Sequence, residues 1–304
     1  MKKLCKALCL LLCCLLVASC GKVANSVPTG HTFTDSAGYT VSVTTLDRVA
    51  VLFSSLADAW LLAGGKIAIT VGETAERGLV APDSAIMIDD GAGKAINTEV
   101  LIAAAPDFVI TSADIPAQRE AAALLRQAGI PVAEMRLESF ADFLSVFKIF
   151  TDLTGNTQAY EAYGVAQKER IDALIAARPL ADKRVLFIRA GTSARSVKAK
   201  GSADHFAAAM LRDLGAVNIA DDTPLLADSL SMEVILAEDP DFIFFTAMGD
   251  EQASRAYVEE MLKEATWQGL SAVRGDRWQY LQKDLFHYKP CANWATAYEQ
   301  LAEK

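Results

Sequence analysis

The sequence predicts an α/β protein with two Rossmann-like lobes, each built on a parallel sheet and joined to the other by one long inter-lobe α-helix. Apolar runs of strand length alternate with longer amphipathic stretches from residue 48 onward, which is typical of parallel sheets covered by helices. One stretch of the first half recurs in the second half, and a stretch of helix-forming composition lies between them. These observations predict an N-terminal lobe at 45–155 and a C-terminal lobe at 179–304.

The alternation places the main elements of both lobes. In the first half it predicts strands at 48–53, 67–71 and 108–111, another strand near Val132, and helices at 57–63 and 117–128. In the second half it predicts a strand at 184–189, a helix at 203–214 and a strand at 242–246. Strands and helices thus alternate in both halves, as a parallel sheet requires.

An internal repeat supports two similar lobes. Residues 99–110 read EVLIAAAPDFVI and residues 233–244 read EVILAEDPDFIF, at a constant separation of 134 residues. Six of the twelve positions are identical, and most of the others are apolar in both copies. The repeat therefore predicts one helix-to-strand unit of the same design in each lobe.

The stretch between the lobes, residues 156–178, is rich in Ala, Glu, Gln, Lys and Arg, which favour helix. Ile171, Leu174 and Ile175 share one face at helical spacing, and we expect Gln167 to lie away from that face. A helix of this length spans about 30 Å. It predicts a stiff connector rather than a wide-swinging hinge.

The first residues have the layout of a secretory signal peptide. Three lysines precede a short apolar core at 8–17, and small residues then lead to Cys20, which predicts a signal peptide at 1–19. The cysteine at this point resembles the lipobox of bacterial lipoproteins, so we expect lipid on Cys20 to anchor an exported protein on the periplasmic or extracellular side. The alternative is an uncleaved anchor helix, but the apolar core is shorter than the ~20 residues that a span needs. Residues 20–44 would form the lipidated end, a tether and the start of the first lobe.

Charge and cysteine content argue against a nucleic-acid-binding protein and against a fold held by disulfides. The formal charge of −9 becomes −12 without residues 1–19, which contain three lysines and no acidic residue. A chain this acidic is not expected to bind nucleic acid through its overall field. Five of the six cysteines lie in the leader or at Cys20, so only Cys291 remains and the fold must depend on its core.

Four segments carry a family resemblance: Asn97–Ile110, Ser231–Leu236, Leu211–Ile219 and Phe286–Pro290. They resemble the solute-binding proteins of ABC importers for ferric siderophores, haem and cobalamin, the class whose lobes are joined by a helix. The resemblance extends over nearly the whole chain after the leader. It implies a monomer without cofactor or catalysis, which holds a ligand in a shallow cleft and delivers it to a permease dimer driven by its ATPase.

Glu99 and Glu233 occupy matching positions in the repeat. Each lies in the first turn of its predicted helix, two residues after a helix-capping residue type, Asn97 or Ser231. The resemblance implies that each glutamate docks into an arginine pocket of one permease subunit, a pairing that fixes orientation as well as attraction. The alternative is a carboxylate favoured only by the helix dipole.

The ligand cleft is expected at the carboxyl ends of the parallel strands. The candidate residues there are Phe53, Ser54, Glu73, Arg77, Ser112, Arg189, Arg195, Lys198, Met248, His287 and Tyr288. The segment 189–200 holds four cations and no acidic residue, which together with aromatic side chains suits an anionic, partly apolar iron chelate such as a ferric siderophore or haem. Cobalamin is the rival ligand, and a solvated basic loop is the alternative for the segment.

Histidine spacing argues against direct metal binding, and incomplete motifs argue against catalysis. The histidines are His31, His205 and His287, and no HxH or HExxH spacing occurs, so we predict no metal site. The segment 91–95 echoes a phosphate loop, but Ile88 stands where its first glycine is required, and no GxSxG sequence is present. A lipoprotein enzyme or sensor on the same scaffold remains the alternative from another class.

Overall fold

The structure is a computed structural model, and it describes residues 30–89, 95–223, 226 and 230–304. The predicted signal peptide, Cys20 and most of the tether lie outside the described residues, as do Gly91 to Lys94. Among the helices that are described, none is both long and apolar enough to cross a membrane.

The N-terminal lobe begins with a hairpin and continues as a parallel sheet. β1 (His31–Thr34) and β2 (Thr40–Val43) pair antiparallel. The sheet has the strand order β5-β4-β3-β6-β7 and consists of β3 (Val49–Val51), β4 (Ile69–Thr70), β5 (Ile86–Met87), β6 (Phe108–Ser112) and β7 (Val132–Met135). The helices of this lobe are α1 (Ser54–Leu62), α2 (Gly72–Glu76), α3 (Thr98–Ala103), α4 (Pro116–Gln127) and α5 (Phe140–Thr154). All sheet pairings are parallel, so the carboxyl ends of the strands share one edge.

The connector α6 consists of a first turn at Thr157–Ala159, a π-helical segment at Tyr160–Val165 and an α-helical segment at Ala166–Ala177. It begins where the Asn156 side chain accepts a hydrogen bond from the Ala159 N–H. The prediction that Gln167 lies away from the buried face is wrong. Gln167 is only 3% exposed because it lies one turn before buried Ile171, and its amide bonds the Cys291 carbonyl and the Ala295 N–H.

The C-terminal lobe contains a second parallel sheet, in the order β10-β8-β11-β12, with a short antiparallel strand, β9, added to β8. Its strands are β8 (Arg184–Ala190), β9 (Lys198–Ala199), β10 (Val217–Asn218), β11 (Phe242–Ala247) and β12 (Trp278–Leu281). Its helices are α7 (Phe206–Asp213), α8 (Met232–Glu238), α9 (Glu251–Met261), α10 (Ala265–Gln268), α11 (Ser271–Arg274), α12 (Lys283–Phe286) and α13 (Trp294–Ala302). The predicted α/β fold, with two parallel-sheet lobes joined by a helix, is confirmed. The residues at which the lobes begin and end stay a prediction.

The internal repeat has a structural basis in its Pro-Asp-Phe segment. The carboxylate of Asp107 accepts the Arg48 N–H at 3.0 Å, and that of Asp241 accepts the Arg184 N–H at 2.9 Å. In each lobe, the aspartate therefore joins the start of its own strand to the start of the neighbouring strand. The turn before it also repeats, because Ala105 and Asp239 both have positive φ angles, of 47° and 35°. The repeat encodes a helix end, a left-handed turn and a strand start.

The two lobes share one apolar core around Trp294 of α13, whose side chain is fully buried. Its indole ring lies 6.0 Å from the ring of Phe140 in α5 and 5.7 Å from the ring of Phe206 in α7, both in edge-on arrangements. Aromatic pairs at these separations stabilise beyond the area they bury. The C-terminal helix α13 thus packs against both lobes through Trp294.

Candidate functional site

A cleft of about 1150 Å³ lies between the lobes, at the carboxyl ends of both parallel sheets. Residues after β3, β4, β6 and β7 form one wall, and residues that end or follow β8, β11 and β12 form the other. The polar, charged and aromatic residues that line it are Phe53, Ser54, Ser55, Glu73, Glu76, Gln118, Glu138, Arg189, Asp204, His205, Phe206, Asp250, Lys283, His287, Tyr288 and Lys289, with Met248 at the rim.

On the N-terminal wall, Ser54 begins α1 and donates its hydroxyl hydrogen to the carboxylate of Glu73. Arg77 lies behind them, donating to the Ser54 hydroxyl at 3.3 Å and to the Asp58 carboxylate at 3.1 Å. Its guanidinium also stands 4.2 Å from the centroid of the Tyr288 ring. This cation–π contact holds Tyr288, which belongs to the C-terminal segment, against the first lobe.

The floor of the cleft is an ion pair that joins distant parts of the chain. Lys289 Nζ lies 2.6 Å from the carboxylate of Glu138 and 4.3 Å from the centre of the Phe206 ring. The Lys289 residue is 7% exposed, and burial lowers the pKa of its ammonium group against the opposing influence of Glu138. The Lys289 backbone N–H is satisfied by the Ser55 hydroxyl at 3.2 Å. The pair fixes the C-terminal segment beneath the ligand space.

The C-terminal wall presents Arg189, Met248 and His287. Arg189 lies near the carboxyl end of β8, and burial lowers the pKa of its guanidinium. Burial, followed by the charges of Arg189 and Lys283, lowers the pKa of His287 to about 4, so its imidazole is neutral at neutral pH. The Ala247 backbone acts on the pKa of this imidazole in the opposite direction, so His287 lies close to the end of β11, which Met248 follows. This wall thus combines a guanidinium cation with two uncharged electron-pair donors, an imidazole and a thioether.

Most acidic groups of the cleft are engaged by the protein itself. Glu73 bonds Ser54 and Glu138 pairs with Lys289, while Asp204 and Asp250 accept backbone N–H groups of Gly201 and Ala253 at 3.2 and 2.9 Å. By contrast, Arg189 Nε is buried and has no hydrogen-bond partner within the part of the chain that the structure describes. The cleft therefore offers a cationic donor to a ligand although its acidic residues outnumber its basic ones.

The structure brings together seven of the predicted cleft residues: Phe53, Ser54, Glu73, Arg189, Met248, His287 and Tyr288. Arg77 and Ser112 stand behind the lining, where Arg77 supports Ser54 and the Ser112 N–H donates to Gln118 at 2.8 Å. Arg195 and Lys198 lie outside this set. The Ser193–Ser196 turn folds their segment back along β8, which leaves Arg195 exposed and Lys198 in β9.

Sequence reasoning did not single out Glu138, Gln118 or Lys289. Glu138 follows β7, so inspection of the segment after the predicted strand near Val132 would have found it. Gln118 lies on α4, where its amide receives the Ser112 N–H and donates to the Leu52 carbonyl at 2.7 Å. These contacts fix the ends of β3 and β6, two strands that border the cleft.

Glu99 and Glu233 are both exposed, in the first turns of α3 and α8. Each helix follows a strand of its sheet and returns toward the next parallel strand, so its first turn lies at the carboxyl edge. Both carboxylates therefore belong to the edge of the molecule on which the cleft opens.

Metal-binding side chains do not cluster in the described ranges. No group of three or more His, Cys, Asp or Glu side chains among those residues is arranged to hold a metal ion. His205 is used structurally, because its Nδ1 accepts the Ala207 N–H at 3.2 Å and caps α7. Burial places the pKa of His205 well below its ordinary value.

Two α/β lobes around a ligand-sized cleft at their carboxyl edges define a ligand-binding protein whose ligand is held between the lobes. The sequence matches the periplasmic binding protein family over residues 49–285, and the chain belongs to this family. Members of the family are solute-binding proteins rather than enzymes. No curated protein matches the sequence.

Solved structures share the fold at low sequence identity. The catecholate-siderophore binding protein VctP of Vibrio cholerae has a TM-score of 0.70 at 13% identity, over 90% of this chain and 98% of that one. The vitamin B12 binding protein BtuF of Vibrio cholerae has a TM-score of 0.67 at 19% identity, over 84% and 95% of the two chains. The heme binding protein HutB of Vibrio cholerae has a TM-score of 0.64 at 19% identity, over 84% and 97%. These similarities establish the fold.

Proposed function

We propose that this protein is the extracytoplasmic solute-binding component of an ABC importer, which captures a ferric siderophore or haem and delivers it to a permease without chemical change. The observation that carries the proposal is the Arg189 guanidinium, whose buried Nε lacks a partner among the described residues of a cleft of about 1150 Å³. A buried donor without a partner destabilises the protein, and an anionic ligand that accepts its hydrogen bond would remove this cost on binding.

The other cleft residues support the same class of ligand. Tyr288 and Phe53 offer aromatic surface to a flat or catechol-bearing molecule, and Lys283 Nζ stands 5.2 Å from the Tyr288 ring centroid. Neutral His287 and the Met248 thioether belong to the donor types that bind haem iron. The volume exceeds the ~300–1,000 Å³ of ordinary small-molecule pockets, which favours a large chelate.

Titration with three probes tests the proposal. We expect haemin or a ferric tris-catechol chelate to quench the tryptophan fluorescence of the protein, and a ligand at 100 times its Kd to stabilise the fold by ~2.7 kcal/mol. Cyanocobalamin serves as the third probe, and absorption spectra distinguish the three complexes. Failure of both iron chelates to bind contradicts the proposed cargo, and turnover of any probe contradicts the proposed role.

Cobalamin is the second candidate ligand. It is favoured by the size of the cleft and by the carboxylates of its lining, such as exposed Glu76, which accept hydrogen bonds from the amides of an amide-rich ligand. Binding of cyanocobalamin alone would replace the iron chelate in the proposal and leave the transport role in place. A lipoprotein enzyme or sensor would instead show turnover, or a partner other than a permease.

Glu99 and Glu233 are proposed to dock the protein onto the permease dimer. Their equivalent positions in the two lobes, their exposure and their place at the cleft edge support one contact with each permease subunit. Arginine–carboxylate pairs give both attraction and orientation. The docked protein, a monomer in this proposal, would present its cleft to the permease and its ATPase.

Cys20 is proposed as the lipid-bearing residue after removal of residues 1–19. Cys20→Ser is expected to abolish incorporation of labelled fatty acid and to move the mature protein from the membrane fraction to the soluble fraction, because no acyl chain would hold it. Cys14→Ser, within the leader, is the matched control and should leave labelling unchanged. Labelling of Cys20→Ser at the level of the unaltered protein would contradict lipidation at this residue.

A further inference from the structure

The repeat keeps an aliphatic side chain at one exposed position of each lobe. Ile102 in α3 is 41% exposed and Leu236 in α8 is 39% exposed. They are separated by the same 134 residues as Glu99 and Glu233, so they are equivalent positions. Elsewhere in the repeat, Leu101 and Ile235 are fully buried, and packing accounts for their apolar character. Packing alone does not account for Ile102 and Leu236.

Each exposed aliphatic residue stands beside a docking glutamate. Residues three apart on a helix are neighbours on one face, so Ile102 adjoins Glu99 and Leu236 adjoins Glu233. Each lobe thus presents one carboxylate and one branched aliphatic side chain together. Leu236 also rests on Gly269, where an added Cβ would lie only 2.9 Å from a Leu236 methyl carbon, so a small residue leaves room for this side chain.

Single exposed aliphatic residues are ordinary, but this pair is related by the duplication. A partner that fits both must itself present two like surfaces, each with a cation next to an apolar pocket. A protein dimer of two like subunits meets that requirement. Glu99 and Glu233 lie in the first turns of their helices, nearest the carboxyl edges of the sheets, and each aliphatic residue lies one turn farther along the same helix face.

We propose that Ile102 and Leu236 are a pair of apolar anchors, which insert beside the cationic pockets of the two like subunits of a membrane permease. This inference rests on the proposed transport function and adds a second determinant to the docking surface. The carboxylates give long-range attraction and orientation, while the aliphatic side chains add contact energy once the surfaces meet.

Uptake by cells of the source bacterium tests the anchors. Ile102→Ser and Leu236→Ser are compared with Leu124→Ser and Val217→Ser, which remove aliphatic side chains that are 51% and 49% exposed outside the repeat. The double reversal Glu99→Arg with Glu233→Arg is the reference for lost docking. The probes are radiolabelled haemin, ferric tris-catechol chelate and cobalamin, and purified variants are titrated with the same molecules.

We expect each anchor substitution to reduce uptake about tenfold at limiting protein, because burial of one aliphatic side chain changes affinity by about that factor. The double substitution should reduce uptake further. Probe affinity and the Leu124 and Val217 controls should be unchanged. Loss of uptake in the glutamate reversal alone overturns the anchors and leaves the docking proposal standing. Normal uptake in both sets overturns both. Uptake that does not depend on the protein, for any probe, overturns the transport function and the anchors with it.

Discussion

Trp294→Ala is expected to lower the free energy of unfolding by about 3–5 kcal/mol, the usual cost of removing a fully buried large aromatic side chain. Trp294 is buried completely and contacts the rings of Phe140 in α5 and Phe206 in α7. The cavity would lie where both lobes meet, so the lobes should also be held less rigidly relative to each other. Urea unfolding followed by circular dichroism measures the free energy of unfolding, and titration with haemin measures the affinity of the cleft for this ligand.

Trp294→Phe is the matched variant. It keeps a six-membered ring in the core but removes the indole N–H, whose nitrogen is buried without a hydrogen-bond partner among the described residues. Loss of an unsatisfied polar group offsets part of the lost packing, so we expect a smaller cost than for alanine. If the alanine variant loses less than about 1 kcal/mol, the shared aromatic core does not hold the lobes together, because cavities of this size cost more.

Local pattern predicted β3, β4, β6, β7, β8 and β11, but it did not predict the short or peripheral strands β5, β9, β10 and β12. The apolar runs at 108–111 and 184–189 became β6 (Phe108–Ser112) and β8 (Arg184–Ala190). Helix α5 was not predicted although its signals were present. Phe140, Phe143, Phe147 and Phe150 recur at helical spacing, and Ser139 caps the first turn by accepting the Asp142 N–H.

The candidate site was predictable where it depends on strand ends and unpredictable where it depends on the approach of distant segments. Met248 directly follows β11 and Phe53 lies two residues after β3, so the rule for parallel sheets located them. The Lys289–Glu138 pair joins residues that are 151 positions apart, and no local pattern encodes that contact. Gln167 lies four residues before Ile171 and therefore on the same helix face, and its polar side chain is tolerated there because backbone groups of Cys291 and Ala295 pair with it.

Arg189→Met is expected to weaken binding of haemin or a ferric tris-catechol chelate by ten- to a hundredfold, because a hydrogen bond to a charged group contributes about 1.5–3 kcal/mol. Methionine keeps much of the length and apolar character of the side chain while removing the guanidinium. Arg189→Lys keeps the charge without the planar fork and should recover part of the affinity. Fluorescence titration at fixed ionic strength measures each constant.

Arg195→Met is the control for the rest of the basic segment. Arg195 is exposed outside the cleft lining, so its loss should leave affinity nearly unchanged. Equal weakening by Arg195→Met and Arg189→Met would mean that general positive charge, rather than one buried donor, attracts the ligand. Unchanged affinity in Arg189→Met would place the anion-binding group elsewhere in the cleft.

The stability of Arg189→Met should change in the direction opposite to its affinity. Burial lowers the pKa of the Arg189 guanidinium, which means that the surroundings disfavour its charge. Its Nε also lacks a partner among the described residues, so the guanidinium has one buried donor that the protein does not satisfy. Replacing it with an apolar side chain should leave the ligand-free protein as stable or slightly more stable. A variant that binds worse yet unfolds no more easily would separate a ligand-binding role from a structural one, whereas loss of both would assign Arg189 to the fold.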